Sequence, residues 1–329
     1  MDFDKIFDQP NSPPPLQVTA ILESASSELG SPALRTITPL TGGFNNNNYA
    51  VTNESGDRFI LRISESSTRL ATELAVLDRL NEIDNDIPVP EVLWHGQEGL
   101  PGGVSAAAIN FIDGVLLSRI THDLDDRRSE KIYRQLGILA SKIHATTFNS
   151  FGFLDTNWQP IDAASNYHSW TFDYLLECLE QDCLQARIGK DRHSRLSRCA
   201  HQKSALLTPP EQPTLCHGDF NQKNVLVTKN RQGDYDIAAI LDWEYALAGS
   251  PTMDIGNLFR YEAHLSGINS RGFESGYKNN GGTLSSQWRD ESRFIDLLAL
   301  CGFLTSCESR PATYKSIIER IDSTINYFS

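Results

Sequence analysis

Residues 214–227 read TLCHGDFNQKNVLV. Asp219 and Asn224 stand five residues apart before the chain resumes with an apolar Val-Leu-Val. The next fourteen or so residues decide how to read them. TKNRQGDYD (228–236) has the asparagine and glycine of a turn, and IAAIL (237–241) is a second apolar run, so the whole reads as a β-hairpin. A fold-back centred on Gly233 sets Asn224 across from Asp242. A slip of one or two residues would leave both at the open end, and Asp219 enters near the same end.

Three oxygen-bearing side chains at one mouth suit a hard cation, because Mg2+ takes one or two carboxylates, an amide oxygen, waters and substrate phosphates. Each residue alone has an ordinary structural reading: Asp219 as a cap or turn residue, Asn224 as an Asx turn, Asp242 as a cap. Their joint spacing, His-x-Asp-x-x-x-x-Asn followed by a second strand ending in Asp, is the arrangement in which protein kinases transfer phosphoryl groups.

LCHGDFNQKNVLV, with AILDWEYALAGSPTMDIGNLFRYE after it, resembles the aminoglycoside phosphotransferase and choline kinase-like family. That resemblance implies an α+β, bilobal protein kinase-like fold, with a small antiparallel-sheet N-lobe and a larger, mostly helical C-lobe. It implies Asp219 as catalytic base, Asn224 and Asp242 as Mg2+ ligands, and Asp254 as a brace for the catalytic loop. His217 is expected to pack and support the loop. Asp254 could also serve as an N-cap to IGNLFRYE.

The front of the chain fits the same expectation. ALRTITPL (33–40), YAVTN (49–53) and RFILRIS (58–64) read as strands, TRLATELAVLDRL as a helix with a leucine stripe, and VSAAAINFIDG (104–114) as a strand running into a turn. LTGGFNNNNYAV resembles the family's phosphate-covering loop, which points to Gly42, Gly43 and Asn46. Alternation in RFILRIS puts Ile60 and Arg62 on one face, and Glu73 sits beside Leu70, Leu74 and Leu77, a place where a carboxylate needs a partner. Arg62 and Glu73 are therefore expected to form the ion pair that kinases make with lysine, although arginine and lysine hold phosphates differently. By resemblance, Asn110 and Ile112 meet the nucleotide base. The boundaries expected are a nucleotide-clamping lobe over 1–109, a hinge at 110–114 and a catalytic and substrate-binding lobe over 115–329.

After Gly114 the apolar periodicity is helical at 133–145 and 170–186, and mostly so from Phe294 to Phe328. The chain has 329 residues, 40% of them hydrophobic, with a net charge of −13 that disfavours nucleic acid and acidic membranes as partners. The acidic, proline-rich start lacks the basic and apolar regions of a signal peptide, no apolar run is long enough for a membrane helix, and the six cysteines form no C-x-x-C. A cytoplasmic protein with reduced thiols is expected. The resemblance implies ATP or GTP with Mg2+ as cofactors and a small-molecule hydroxyl as acceptor, with the oligomeric state open. Asp173, Glu177, Glu180, Asp182, Glu262 and Glu274 could make an acidic pocket for a cationic acceptor, or each could be a solvated helix-face residue. A nucleotide-binding pseudokinase and a protein kinase are the rival readings. The intact triad disfavours the first, and DWEYALAGSP, which leaves no room for an activation loop, disfavours the second.

Overall fold

The computed structural model describes residues 15–25, 29, 34–40, 46–83, 86–96, 100–161, 163–262, 267–306 and 311–329. A helix, α1 (Pro15–Ala25), precedes three strands, β1 (Leu34–Leu40), β2 (Asn46–Asn53) and β3 (Arg58–Ser64). Then come α2 (Ser67–Ile83), β4 (Val92–Gly96) and β5 (Ser105–Asn110). These strands form one antiparallel sheet in the order β1-β2-β3-β5-β4. Phe59, Leu61 and Ile63 of β3 bury one face under Val18, Ile21 and Leu22 of α1. The alternate residue Ile60 turns to the other side, where it packs against a second core.

The rest is largely helical. A short β6 (Val115–Leu116) and α3 (Leu117–Ile120) lead into α4 (Asp126–Ile143), β7 (Gly152–Phe153), α5 (Tyr167–Glu180), α6 (Asp182–Ile188) and α7 (Lys190–Lys203). Strands β8 (Thr214–Cys216), β9 (Val225–Lys229), β10 (Tyr235–Ile240) and β11 (Leu247–Gly249) carry the central stretch, followed by α8 (Pro251–Phe259), α9 (Ile268–Asn279), α10 (Trp288–Thr305) and α11 (Pro311–Tyr327). An antiparallel sheet in front and helices behind make the α+β, bilobal, kinase-like architecture. One apolar core joins the two parts: Val76, Leu77 and Leu80 of α2 and Ile109 of β5 pack with Leu136, Val225, Ile240 and Trp243. Another binds α5, α6 and α7 to α10 and α11.

Some sequence boundaries shift. The helix expected over 170–186 is two helices, because Gln181 is extended (ψ 122°) and ends α5 before α6 begins. Strand β4, which begins at Val92 within the proline-punctuated IPVPEVL (87–93), was not expected, and Asn46 already belongs to β2. Gly42 and Gly43 lie outside the described residues. Cys178, Cys183, Cys199, Cys216 and Cys301 are all free thiols. Among the described residues, no helix is long and apolar enough to cross a membrane.

Candidate active site

The hairpin of β9 and β10 forms where expected, one to two residues out of register. Tyr235 pairs with Lys229 and Ile237 with Val227, after which a bulge brings Ala239 opposite Leu226 and Ile240 opposite Val225. The extra residue shifts the mouth, so Asn224 lies across from Leu241, whose N–H donates to the Asn224 carbonyl at 2.8 Å. Asp242 follows directly, in the left-handed region at φ 71°. For an aspartate that is an uncommon backbone state, of the sort found where a side chain must be aimed.

Hydrogen bonds fix Asp219 from both sides. Asn224 Nδ2 donates to Asp219 Oδ2 and to its carbonyl, both at 2.9 Å, and Asn221 Nδ2 donates to Oδ1 at 2.7 Å. The Asp219 N–H donates to His217 Nδ1 at 3.2 Å, which leaves Nε2–H of that ring to donate to the Leu241 carbonyl at 2.8 Å. His217 is fully buried against Trp243, with ring centroids 4.5 Å apart, so it ties the loop to the hairpin mouth and has no open face for chemistry.

Asp254 sits in the first turn of α8, and it is Ser250 that caps this helix, ahead of Pro251 at the first helical position. The Asp254 carboxylate accepts from the backbone N–H of His217 (2.8 Å) and of Gly218 (3.0 Å), and pairs with His144 Nε2 at 3.1 Å. His144 is held in turn by the Tyr277 hydroxyl at 2.9 Å. Asn257, one turn on, donates to the Gly218 carbonyl at 3.2 Å. Gly218 has φ 80°, and a Cβ there would stand 2.2 Å from the Tyr245 carbonyl oxygen, so glycine is required. His144, Cys216 and Asp254 place three metal-type ligand atoms within 4.8 Å of one another. Each is already spent on the loop: Cys216 Sγ donates to the Ser250 carbonyl at 3.3 Å, and Asp254 and His144 hold each other. His144, Tyr277 and Asn257 carried no sequence signal of this brace, since helix packing alone delivers them.

Arg62 joins the front sheet to this loop. Its guanidinium reaches Glu73 of α2 through Nη1, Asn48 of β2 through Nε at 3.1 Å, and Asp242 through Nη1 at 3.0 Å. Asn48 stands directly across from Arg62 in the sheet, so the asparagine run supplies a holder for the arginine that its turn-like composition concealed. Burial works against the Arg62 charge, but Glu73, Asp242 and Glu244 outweigh it and raise its pKa. Burial pushes the Glu73 carboxyl up, Arg62 pulls it down, and Asp242 adds to the rise. Arg69 of α2 makes a second link, donating to the Tyr245 hydroxyl at 3.1 Å.

The donor set fits a hard cation. Asn224 spends its Nδ2 on Asp219, and its Oδ1 accepts nothing among the described residues. Asp242 gives Oδ1 to Arg62, and its Oδ2 likewise accepts nothing among them. One amide oxygen and one carboxylate oxygen are ligands of the kind Mg2+ takes. At the end of β5, the Asn110 N–H donates to the Glu91 carbonyl (3.0 Å) and the Asn110 side chain accepts the Glu91 N–H (2.9 Å). The Ile112 N–H, two residues on, meets no acceptor among the described residues. Asn46 pairs with Ser64 at the far end of β2.

The sequence matches a family model described as the phosphotransferase enzyme family over residues 36–284. The chain belongs to that family. No curated protein matches it. Among solved structures, it is similar to a thermostable mutant of aminoglycoside phosphotransferase APH(4)-Ia in complex with ADP and hygromycin B, at 18% identity and a TM-score of 0.63, covering 93% of this chain and 98% of that one. It is also similar to the GDP and kanamycin complex of APH(2'')-IIIa, at 15% identity and a TM-score of 0.67, covering 94% and 99%. These likenesses show the kinase-like fold. Membership of that family makes the chain a phosphotransferase.

Proposed function

We propose that this phosphotransferase moves the γ-phosphoryl group of ATP or GTP to a hydroxyl of a small molecule. The observation carrying this reading is the way Asn224 is divided. Its Nδ2 fixes the Asp219 carboxylate at 2.9 Å, while its Oδ1 accepts nothing among the described residues and stays available beside Asp242. One amide thus couples the group that receives a proton to a site for a cation.

In this reading Asp219 orients the attacking hydroxyl and takes its proton as the new O–P bond forms. The bond from the γ-phosphorus to the bridging oxygen breaks, and the nucleoside diphosphate leaves. Asn221 and Asn224 keep the carboxylate from turning away. Asn224 and Asp242 would hold Mg2+, which when bound neutralises phosphate charge. Arg62, fixed by Glu73 and Asn48, presents a guanidinium to the phosphates; Gly42 and Gly43 belong to the covering loop, and Asn46, the first residue of β2, follows it. Residues 110–114 serve as the hinge between a nucleotide-clamping lobe (1–109) and a catalytic lobe (115–329), with the Asn110 carbonyl and the Ile112 N–H meeting the base. Such catalysis consists mainly of positioning and electrostatics.

Calorimetry and a coupled hydrolysis assay test this together. Wild type should bind MgATP or MgGTP and hydrolyse it slowly. Asp219→Ala should bind within about threefold of wild type and lose turnover by at least about 100-fold, the range of a positioned general base. Undiminished turnover in that variant would remove Asp219 from the reaction.

A further inference from the structure

Of the acids considered for a cationic acceptor, Asp173, Glu177, Glu180 and Asp182 are exposed on α5 and at the start of α6, and Glu274 is paired with Lys278 and Arg289. Glu262 is placed differently. It follows α8 and takes part in a chain of hydrogen bonds that ends inside the catalytic loop, between Asp219 and Asn224.

The chain starts where α4 meets α9. Ser129 Oγ donates to Asn269 Oδ1 at 2.6 Å, and Asn269 Nδ2 donates to Glu262 Oε1 at 2.7 Å. The Tyr133 hydroxyl of α4 donates to the same carboxylate and accepts from Gln222 Nε2 of the loop. Tyr133 is buried, and a phenol has one hydrogen to give and lone pairs to receive with, so both of its capacities are used. Its ring is held as well, stacked on Phe259 with centroids 5.6 Å apart. The Glu262 N–H donates to the Phe259 carbonyl at 2.9 Å, which fixes the acid beside that ring. Burial pushes the Tyr133 phenol well up, with Glu262 adding to the rise, and burial pushes the Glu262 carboxyl up against the pull of Asn269 and Tyr133. A charged acceptor strengthens the bond made to it and polarises the next one along.

Gln222 is the outward hold at the middle of the loop. Its carbonyl accepts the Ser118 N–H at 3.0 Å, while its side chain reaches Tyr133. The residues on either side of it work inward. Asn221 and Asn224 donate to the Asp219 carboxylate, and they are tied to each other across Gln222 by the Asn224 N–H on the Asn221 carbonyl at 2.9 Å. A shift of Gln222 therefore carries with it both amides that aim Asp219.

We infer, resting on the phosphoryl-transfer reading of Asp219, that Tyr133 and Glu262 are positioning residues that act through Gln222 to hold Asn221 and Asn224 on the Asp219 carboxylate. Misplacing a reacting group by about 1 Å can cost about 100-fold in rate. Such a role shows in kcat rather than in the KM for the nucleotide.

The test measures Asp219-dependent hydrolysis of MgATP or MgGTP by the full-length protein, at saturating Mg2+ and below the unfolding temperature of every variant. Tyr133→Phe keeps the ring and its packing and removes only the hydroxyl. It should lower kcat by at least about tenfold, with the nucleotide KM within about threefold of wild type. Gln222→Ala should do the same, and the double variant should be no worse than the more damaged single one, because both cut one chain. Glu262→Gln keeps an acceptor oxygen without the charge and should lose less than Glu262→Ala. A kcat within about twofold of wild type in either single variant overturns the inference, and so do losses that multiply in the double variant. The phosphotransferase reading would then still stand on the Asp219 dependence, whereas absence of Asp219-dependent hydrolysis would remove both.

Discussion

Arg62 Nη1 lies 3.0 Å from Asp242 Oδ1, joining β3 of the front sheet to the mouth of the β9–β10 hairpin across 180 residues of chain. The same guanidinium neutralises Glu73, which is 2% exposed. One side chain therefore secures a buried acid and aims a residue of the candidate cation site. Removing it separates the two roles.

Arg62→Met should destabilise the protein by about 3–5 kcal/mol, because it strands the Glu73 charge in the interior. Adding Glu73→Leu should restore most of that stability in urea unfolding, since the orphaned charge goes with it, while MgATP binding stays weak. Arg62→Lys keeps a charge but cannot reach Glu73, Asn48 and Asp242 at once. It should raise the KM for MgATP by about tenfold with a smaller stability loss.

Asp254 and Asp219 are both acids of the central block, yet their loss should read out differently. Asp254→Ala leaves two backbone N–H groups and His144 without their acceptor. At about 1–3 kcal/mol for each buried donor left unsatisfied, the melting temperature should drop sharply and activity with it. Asp219→Ala should lose activity with a melting temperature within a few degrees of wild type. Thermal unfolding of the two variants side by side decides this.

Gly218→Ala tests the loop geometry itself. The methyl would meet the Tyr245 carbonyl oxygen at 2.2 Å from a backbone already at φ 80°. A loss of about 1–3 kcal/mol in denaturant unfolding is expected, with impaired turnover. The same substitution at Gly233, also at φ 80° but with only a lysine side-chain atom 3.9 Å away, should cost clearly less.

Asn224→Ala should raise the Mg2+ concentration needed for half-maximal turnover by at least about tenfold, since magnesium keeps few protein ligands and each one counts. Titration with Mg2+ after chelation measures it. An unchanged Mg2+ requirement would exclude Asn224 as a ligand.

The central block was legible because its residues lie close in sequence and its chemistry fixes their spacing. Asp219, Asn224 and Asp242 needed only a hairpin to bring them together, and the bulge in β10 moved the partner of Asn224 from Asp242 to Leu241 without separating the group. The facing of Arg62 and Glu73 followed from strand alternation and from a carboxylate on an apolar helix stripe. What escaped was assembled by helix packing over long separations. His144 reaches Asp254 across 110 residues, and Tyr277, which holds His144, comes from α9, each within an unremarkable helical pattern.

The most direct measurement is transfer itself. Purified protein with MgATP or MgGTP and a panel of small hydroxyl compounds is followed by mass spectrometry for the phosphate mass gain, with Asp219→Ala as control. A phosphorylated product from wild type that is absent from the variant is the expected result. Equal product from both proteins would contradict the role given to Asp219, and nucleotide binding without transfer to any hydroxyl compound would contradict the proposed reaction.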